Sequence, residues 1–368
     1  MRIGVTVDPL SPTLTGIGRY TWQLCQGLVE HPEIENVSYF RNDRWIRDPR
    51  DLLAGRELRR SRWPRPVRQW RARSGFRHRL IHGTNYFLPA EAEAGVITVH
   101  DMSIFLFPET HPAERLRHFE RQFTDSISRA AHIITDSEAT RRDFLAHFSF
   151  PEDRVTTVHL GVSDDFCAQD EVTSRERLHA LFGRDPSDYI LAVATFEPRK
   201  RIEAAISAHA LFCERTGSKV PLVLVGAKGW SNESLHALIL DEQQKGRLIV
   251  LGFVPEADLP SLYAGARLFV YPSTYEGFGL PPIEAMACGT PTIVSDRSCL
   301  PEVTCGAAMM VDPDDIDGFS AAIEQALHDD SWRDSAICAG LAVGAHYSWK
   351  RCIDATVEVY RVAGYGTD

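Results

Sequence analysis

Two glutamates eight positions apart close the most chemically loaded stretch of the chain, Tyr271-Pro272-Ser273-Thr274-Tyr275-Glu276-Gly277-Phe278-Gly279-Leu280-Pro281-Pro282-Ile283-Glu284. An apolar strand-like run ends there, a glycine-rich loop follows, and a helix opens with proline in its first turn, where a missing N–H does no harm. Backbone N–H groups at such a helix start attract anions, phosphate above all. Two carboxylates beside a phosphate site make sense if the ligand also carries hydroxyls, as a sugar nucleotide does. The alternative is a plain loop–helix junction, with Glu276 solvated and Glu284 on an exposed helix face.

Three cations, Arg199-Lys200-Arg201, directly follow another apolar run, after Thr195-Phe196-Glu197-Pro198. Cations are disfavoured at a helix start, whereas a bound diphosphate accepts charge-assisted hydrogen bonds of roughly 1.5–3 kcal/mol each. A solvated helix start is the alternative. His100-Asp101 likewise follows an apolar run, and a histidine there serves structure as readily as catalysis. Gly16-Ile17-Gly18 follows the first run, but Thr21 stands where the dinucleotide fingerprint G-x-G-x-x-G has its third glycine. What remains is a close backbone approach to a ligand, or a tight strand–helix turn. Asp312-Pro313-Asp314-Asp315-Ile316-Asp317 looks like a metal site, yet N-capping of the next helix explains it. No G-x-S-x-G, Walker A or H-E-x-x-H pattern is present.

These residues need strands that end at them. A first series of buried-strand candidates comprises Ile3–Val7, Val37–Phe40, Leu80–His82, Val96–Val99, His132–Thr135 and Val155–Val158, with helices expected near 19–30, 112–130 and 137–148. A second series restarts at Tyr189–Ala194. It continues through Leu222–Gly226, Leu248–Leu251, Leu268–Val270, Thr292–Ser295 and Ala308–Val311, with helices near 201–216, 231–245 and 257–265 and from Pro281. Short apolar runs alternating with helical periods predict an α/β chain with parallel, doubly wound sheets. Residues 159–187 read as an irregular linker. A last helix is expected over Ser348–Val362, with Ser348 as its N-cap.

The chain has 368 residues, 44% hydrophobic and 24% charged, which suits about two globular domains and excludes a disordered chain or a collagen. Its eight scattered cysteines fit a reduced compartment better than a zinc or disulfide framework. The formal charge of −10 argues against nucleic acid as a partner, but it is unevenly spread. Residues 41–79 hold fourteen arginines against four acids, so the remainder carries −20. Trp63 and Trp70 lie within that basic block, and Pro64 and Pro66 break any single helix through it. Arginine with tryptophan suits an anionic lipid surface best; a solvated, mobile loop is the alternative, and a single-stranded nucleic acid stands well behind both.

The order of motifs resembles the retaining family 4 glycosyltransferases. Glu276-Gly277-Phe278-Gly279-Leu280-Pro281-Pro282-Ile283-Glu284 is similar to that family's E-x7-E motif. Thr15-Gly16-Ile17-Gly18-Arg19-Tyr20, Val99-His100-Asp101, Glu197-Pro198-Arg199-Lys200, Gly252-Phe253-Val254 and Ser348-Trp349 follow its order. The resemblance covers nearly the whole chain and is nearest the mannosyltransferases of bacterial O-antigen and exopolysaccharide assembly. It implies a GT-B fold: two Rossmann-like domains, an interdomain cleft, and a C-terminal helix crossing back to the first domain. Residues 1–160, completed by 348–368, would bind the acceptor, and 161–347 the nucleotide sugar. Glu284 would bind the ribose, and Glu276 hydroxyls of the donor sugar. Arg199, Lys200 and the backbone of Gly277, Phe278, Gly279 and Leu280 would bind the diphosphate. Gly16 and Gly18 would let their loop approach it, Val254 would meet the base, and His100 with Asp101 would lie near the reacting carbon. One departure stands out: Thr195 occupies the place of an arginine common in the family.

The resemblance further implies a retaining, metal-independent transfer with no cofactor. The donor is expected to be GDP-mannose, or alternatively UDP-glucose, UDP-GlcNAc or GDP-rhamnose. The acceptor is expected to be polyprenyl-linked or an oligosaccharide. The expected location is cytoplasmic, at the inner face of the cytoplasmic membrane, with residues 41–79 on the anionic surface. A nicotinamide-dependent oxidoreductase and a non-catalytic scaffold are the competing readings, the former weakened by Thr21.

Overall fold

A computed structural model describes residues 1–56, 63–110, 113–169, 171–183, 188–227 and 233–364. The chain divides into two units, Met1–Gly161 with Trp349–Asp368, and Val162–Ser348.

The first unit is built on seven strands: β1 (Arg2–Thr6), β2 (Asn36–Arg41), β3 (Arg44–Ile46), β4 (Leu80–Gly83), β5 (Gly95–Val99), β6 (Ala130–Thr135) and β7 (Val155–Thr157). Their order is β3-β2-β1-β4-β5-β6-β7, and all pairs are parallel except β2 with β3. Every residue of β4 and β5 is buried, as continuous apolar runs covered on both faces require. Strand β3 was not expected. Asn42 and Asp43, at φ 45° and 66°, turn the chain straight back along β2, and such φ values suit Asn and Asp.

The second unit has six strands: β8 (Ile190–Val193), β9 (Leu222–Val225), β10 (Leu248–Gly252), β11 (Leu268–Tyr271), β12 (Thr292–Ser295) and β13 (Met309–Val311). They are all parallel, in the order β10-β9-β8-β11-β12-β13. In both units the winding reverses beside the first strand, between β1 and β4 and between β8 and β11. Open α/β sheets bind ligands beyond the carboxyl ends of the strands at such a reversal.

Two expectations about helices need correction, and a third is made definite. The first helix spans Gly16–Glu30, not 19–30: Thr15 caps it by accepting the Gly18 N–H at 3.3 Å, so the Gly-x-Gly segment is its first turn. Residues 159–187 are not all linker, because a helix occupies Glu171–Phe182 within the second unit. The basic block contains a helix over Arg65–Phe76. Pro64 precedes it and Pro66 lies in its first turn, where proline is tolerated, so the helix begins at the prolines, leaves Trp63 outside, and no single helix runs through both tryptophans, as expected. Arg59, Arg60 and Arg62 lie outside the described residues.

The last helix, Trp349–Val362, belongs to the first unit. It packs closely on the first helix: a Cβ on Gly27 would stand 1.9 Å from Ile353 Cδ1. Tyr360, fully buried, places its hydroxyl 2.7 Å from Nδ1 of His82 on β4. His82 Nε2 lies 2.8 Å from Thr98 Oγ1 on β5, and Thr98 lies 2.9 Å from the Tyr20 hydroxyl. Burial lowers the His82 pKa to about 3, so this ring is neutral. A polar chain therefore ties both helices to the centre of the sheet. Among the described residues, no helix is long and apolar enough to cross a membrane.

Candidate functional site

Strands β8 and β11 are neighbours, with Leu191 paired to Phe269, so the segments that leave their carboxyl ends meet. Glu197–Lys200 leaves β8, and Pro272–Gly279 leaves β11. The Arg199 carbonyl accepts from Thr274 N at 3.0 Å, Thr274 Oγ1 at 3.0 Å and Ser273 Oγ at 3.2 Å, which fastens one segment to the other.

This brings Arg199, Lys200 and Glu276 together. Lys200 Nζ donates to both Glu276 oxygens, at 2.5 and 2.7 Å, and Arg199 Nη1 lies 3.4 Å from Oε2. The Tyr271 hydroxyl donates to Oε1 at 2.8 Å. Ser298 Oγ donates to the Glu276 carbonyl at 2.7 Å, fixing the backbone. Glu276 is only 6% exposed. Burial alone would raise its pKa, but Lys200 and Arg199 overcome that and hold it at about 2. Glu276 is thus a buried, paired carboxylate, and the solvated-loop alternative fails.

The exposed-face alternative fails for Glu284 as well. It lies in the helix Leu280–Ala287, is 4% exposed, and accepts from the Tyr263 hydroxyl at 3.0 Å. Gly279 caps that helix at φ 86°, and a Cβ there would meet Leu300 Cδ2 at 2.8 Å, so conformation and space both call for glycine. Because Pro281 and Pro282 have no N–H, the donors of this helix start fall to Gly279 and Leu280. Phe278 is buried edge-on against Tyr347, at 5.3 Å between centroids. Val254 is buried just beyond β10.

The third cation does not join this group. Arg201, at φ 50°, turns its side chain to Asp314 at 2.8 Å. Two cations, not three, therefore meet Glu276. Thr195 is exposed at the end of β8. Asp315 accepts from Gly318 N at 2.8 Å, so the aspartate run caps the helix Ile316–His328.

In the first unit, Val99 of β5 pairs with Thr135 of β6, which sets the next residues, His100 and Asp136, side by side. His100 Nδ1 lies 2.7 Å from Asp136 Oδ2, and Nε2 lies 2.8 Å from the Thr84 carbonyl. A carbonyl only accepts, so Nε2 carries a proton, and a second proton lies in the bond to Asp136. Burial opposes the charge on His100, yet Asp136 and the Thr84 carbonyl outweigh it and raise the pKa. In this arrangement neither ring nitrogen offers a lone pair to an incoming hydroxyl. Asp101 Oδ1 accepts from Ser103 N at 2.8 Å and starts the short helix Ser103–Leu106. Gly18 is buried and Gly16 exposed in the first turn of their helix.

Sequence reasoning missed the residues that hold the site: Tyr271 and Ser298 for Glu276, Tyr263 for Glu284, and Asp136 for His100. One signal was readable. Val99-His100 and Thr135-Asp136 each place a polar residue straight after an apolar run.

Residues 14–166 match the family described as Glycosyltransferase Family 4, and residues 175–340 match Glycosyl transferases group 1. The chain is 37% identical to the O-antigen chain mannosyltransferase B of Escherichia coli, over 98% of this chain and all of that one. It is 28% identical to the O-antigen chain mannosyltransferase RfbU of Salmonella typhimurium, over 67% of this chain and 64% of the relative. A crystal structure of Anabaena HepE in complex with UDP and glucose superposes over 98% of this chain and 99% of that one, with a TM-score of 0.75 at 17% identity. The chain is a glycosyltransferase of family 4 with the GT-B fold, in the branch of the bacterial O-antigen mannosyltransferases.

Proposed function

We propose that the protein transfers mannose from GDP-mannose, with retention and without a metal, to a polyprenyl-linked or oligosaccharide acceptor in bacterial surface polysaccharide synthesis. The observation that carries this reading is the Arg199–Lys200–Glu276 group at the β8–β11 reversal, with Glu284 one helix turn further on. The names of the two mannosyltransferase relatives favour mannose over the other hexoses.

The hard part of the transfer is charge separation between an oxocarbenium-like sugar and a departing diphosphate. Lys200, Arg199 and the N–H groups of Gly277, Phe278, Gly279 and Leu280 are the donors for the leaving group, held on the two strand ends. Glu284 takes the ribose hydroxyls, Glu276 those of the donor sugar, and backbone near Val254 the base. Glu276 now occupies the two cations, so the diphosphate must share or displace it. The first unit binds the acceptor. The His100–Asp136 pair acts there as a fixed group, since both ring nitrogens are engaged. The proton of the attacking hydroxyl then leaves toward the departing phosphate oxygen. Residues 41–79, with exposed Trp63 and Trp70, face an anionic membrane.

The test is a thermal-shift panel of GDP-, UDP- and ADP-sugars, since a ligand of the folded state raises the melting temperature. It is followed by transfer assays with Lys200→Ala, Glu284→Ala and Glu276→Gln. GDP-mannose should give the largest shift, and each variant should lose transfer by about 100-fold or more. Glu276→Gln should also bind GDP more tightly, because the cations are released. A larger shift with a UDP-sugar replaces the donor, and near-normal transfer by all three variants refutes the site.

A further inference from the structure

The strand–helix edge of the first unit holds a cavity of about 590 Å³ between β2, β3 and the helix Arg65–Phe76, lined among others by Tyr39, Trp45, Arg47, Trp70, Arg71 and Arg79. The described acids of this region, Asp43, Asp48 and Asp51, are already taken. Asp43 pairs with Arg68 at 3.2 Å and Arg44 at 3.6 Å, Asp48 with Arg50 at 3.9 Å, and Asp51 with Arg56 at 2.7 Å. None of those four arginines lines the cavity. Part of the surplus positive charge of the block stands at the cavity wall, where Arg47 and Arg71 are exposed and have no carboxylate partner among the described residues. Arg79 is pre-set: Nε donates to Ser38 at 3.1 Å, Nη1 donates to the Gly75 carbonyl at 2.6 Å, and the guanidinium lies 5.4 Å from the Trp45 ring centroid. The Trp45 indole N–H is buried without a hydrogen-bond partner. At the rim, Trp70 is 69% and Trp63 56% exposed, with Arg71 stacked 5.8 Å from the Trp63 ring centroid.

We infer that this cavity is a binding site for the phosphate-bearing headgroup of an anionic bilayer lipid, with Trp63 and Trp70 seated at the membrane–water boundary. The inference rests on the membrane reading of residues 41–79 and sharpens it from a diffuse charge to a built pocket. Arginine forks match phosphate oxygens, and amphipathic indole rings favour the headgroup level. Among the described residues, no acid lines the cavity to oppose an anion.

The test is sedimentation of the full chain with phosphatidylcholine vesicles containing phosphatidylglycerol. The pocket variant R47Q/R71Q is compared with R73Q/R77Q, which removes the same charge from exposed arginines outside the cavity. Melting temperatures check that both fold. The pocket variant should lose about 30-fold in vesicle affinity, from about 1 kcal/mol for each basic residue at an anionic surface, and at least tenfold more than its control. Equal losses would overturn the pocket and leave the membrane reading standing. No binding by the unaltered protein would sink both. Binding to vesicles doped with polyprenyl phosphate, but not with phosphatidylglycerol, would overturn the lipid assignment in favour of the acceptor.

Discussion

Glu276 shows how a single residue carries a site. A buried carboxylate is costly unless paired, and two cations with a tyrosine hydroxyl pair it here. The same pairing keeps Lys200 and Arg199 in place before any ligand arrives. Two of the buried histidines of the first unit, His100 and His82, work in opposite senses. The His100 pKa is raised, so its stabilisation is complete below about 6.5, the unfolded value, and is lost as pH rises through the folded pKa. The His82 pKa is lowered to about 3, so its contribution is present above about 6.5 and is lost as pH falls toward 3. The stability advantage of the unaltered protein over His100→Gln should therefore shrink between pH 7 and pH 10. Denaturant midpoints measured across that range check it, and an advantage that stays constant would mean that the folded ring does not titrate there.

At the scale of elements, the contrast is between strands and their ends. The apolar runs alone locate twelve of the strands, because most of these parallel strands are buried on both faces and leave a near-continuous hydrophobic signature. The Gly16–Glu30 helix began earlier than expected because Thr15, a capping residue, outweighs the low helix propensity of two glycines. The helix Trp349–Val362 is held by Tyr360 as well as by apolar packing. Tyr360→Phe should cost about 1–3 kcal/mol by leaving the buried His82 Nδ1 without its partner. A urea midpoint unchanged by that substitution would remove the hydrogen bond from the account.

For the whole molecule, the division into units makes a specific demand on the C-terminus. The second unit is one continuous segment, whereas the first is completed by residues that follow it in sequence. Ending the chain at Ser348 should expose the faces of Gly16–Glu30 and β4 that the last helix covers. Hydrogen-exchange mass spectrometry should then show faster exchange in β1 and β4, with β8 and β11 unchanged. Uniform acceleration in both units would mean that their stabilities are not separable.

The amino-acid order by itself determined the alternation of strands and helices, the two series, the glutamates eight apart and the cations before them, because these are properties of neighbouring residues and their periodicity. It could not say which strands lie side by side. Sheet order placed β8 against β11 and β5 against β6, and only that adjacency joined Lys200 to Glu276 and His100 to Asp136. It also turned Arg201 away to Asp314. Partner choice among charges depends on distances of a few ångströms between residues up to more than a hundred positions apart, and chain packing alone fixes those.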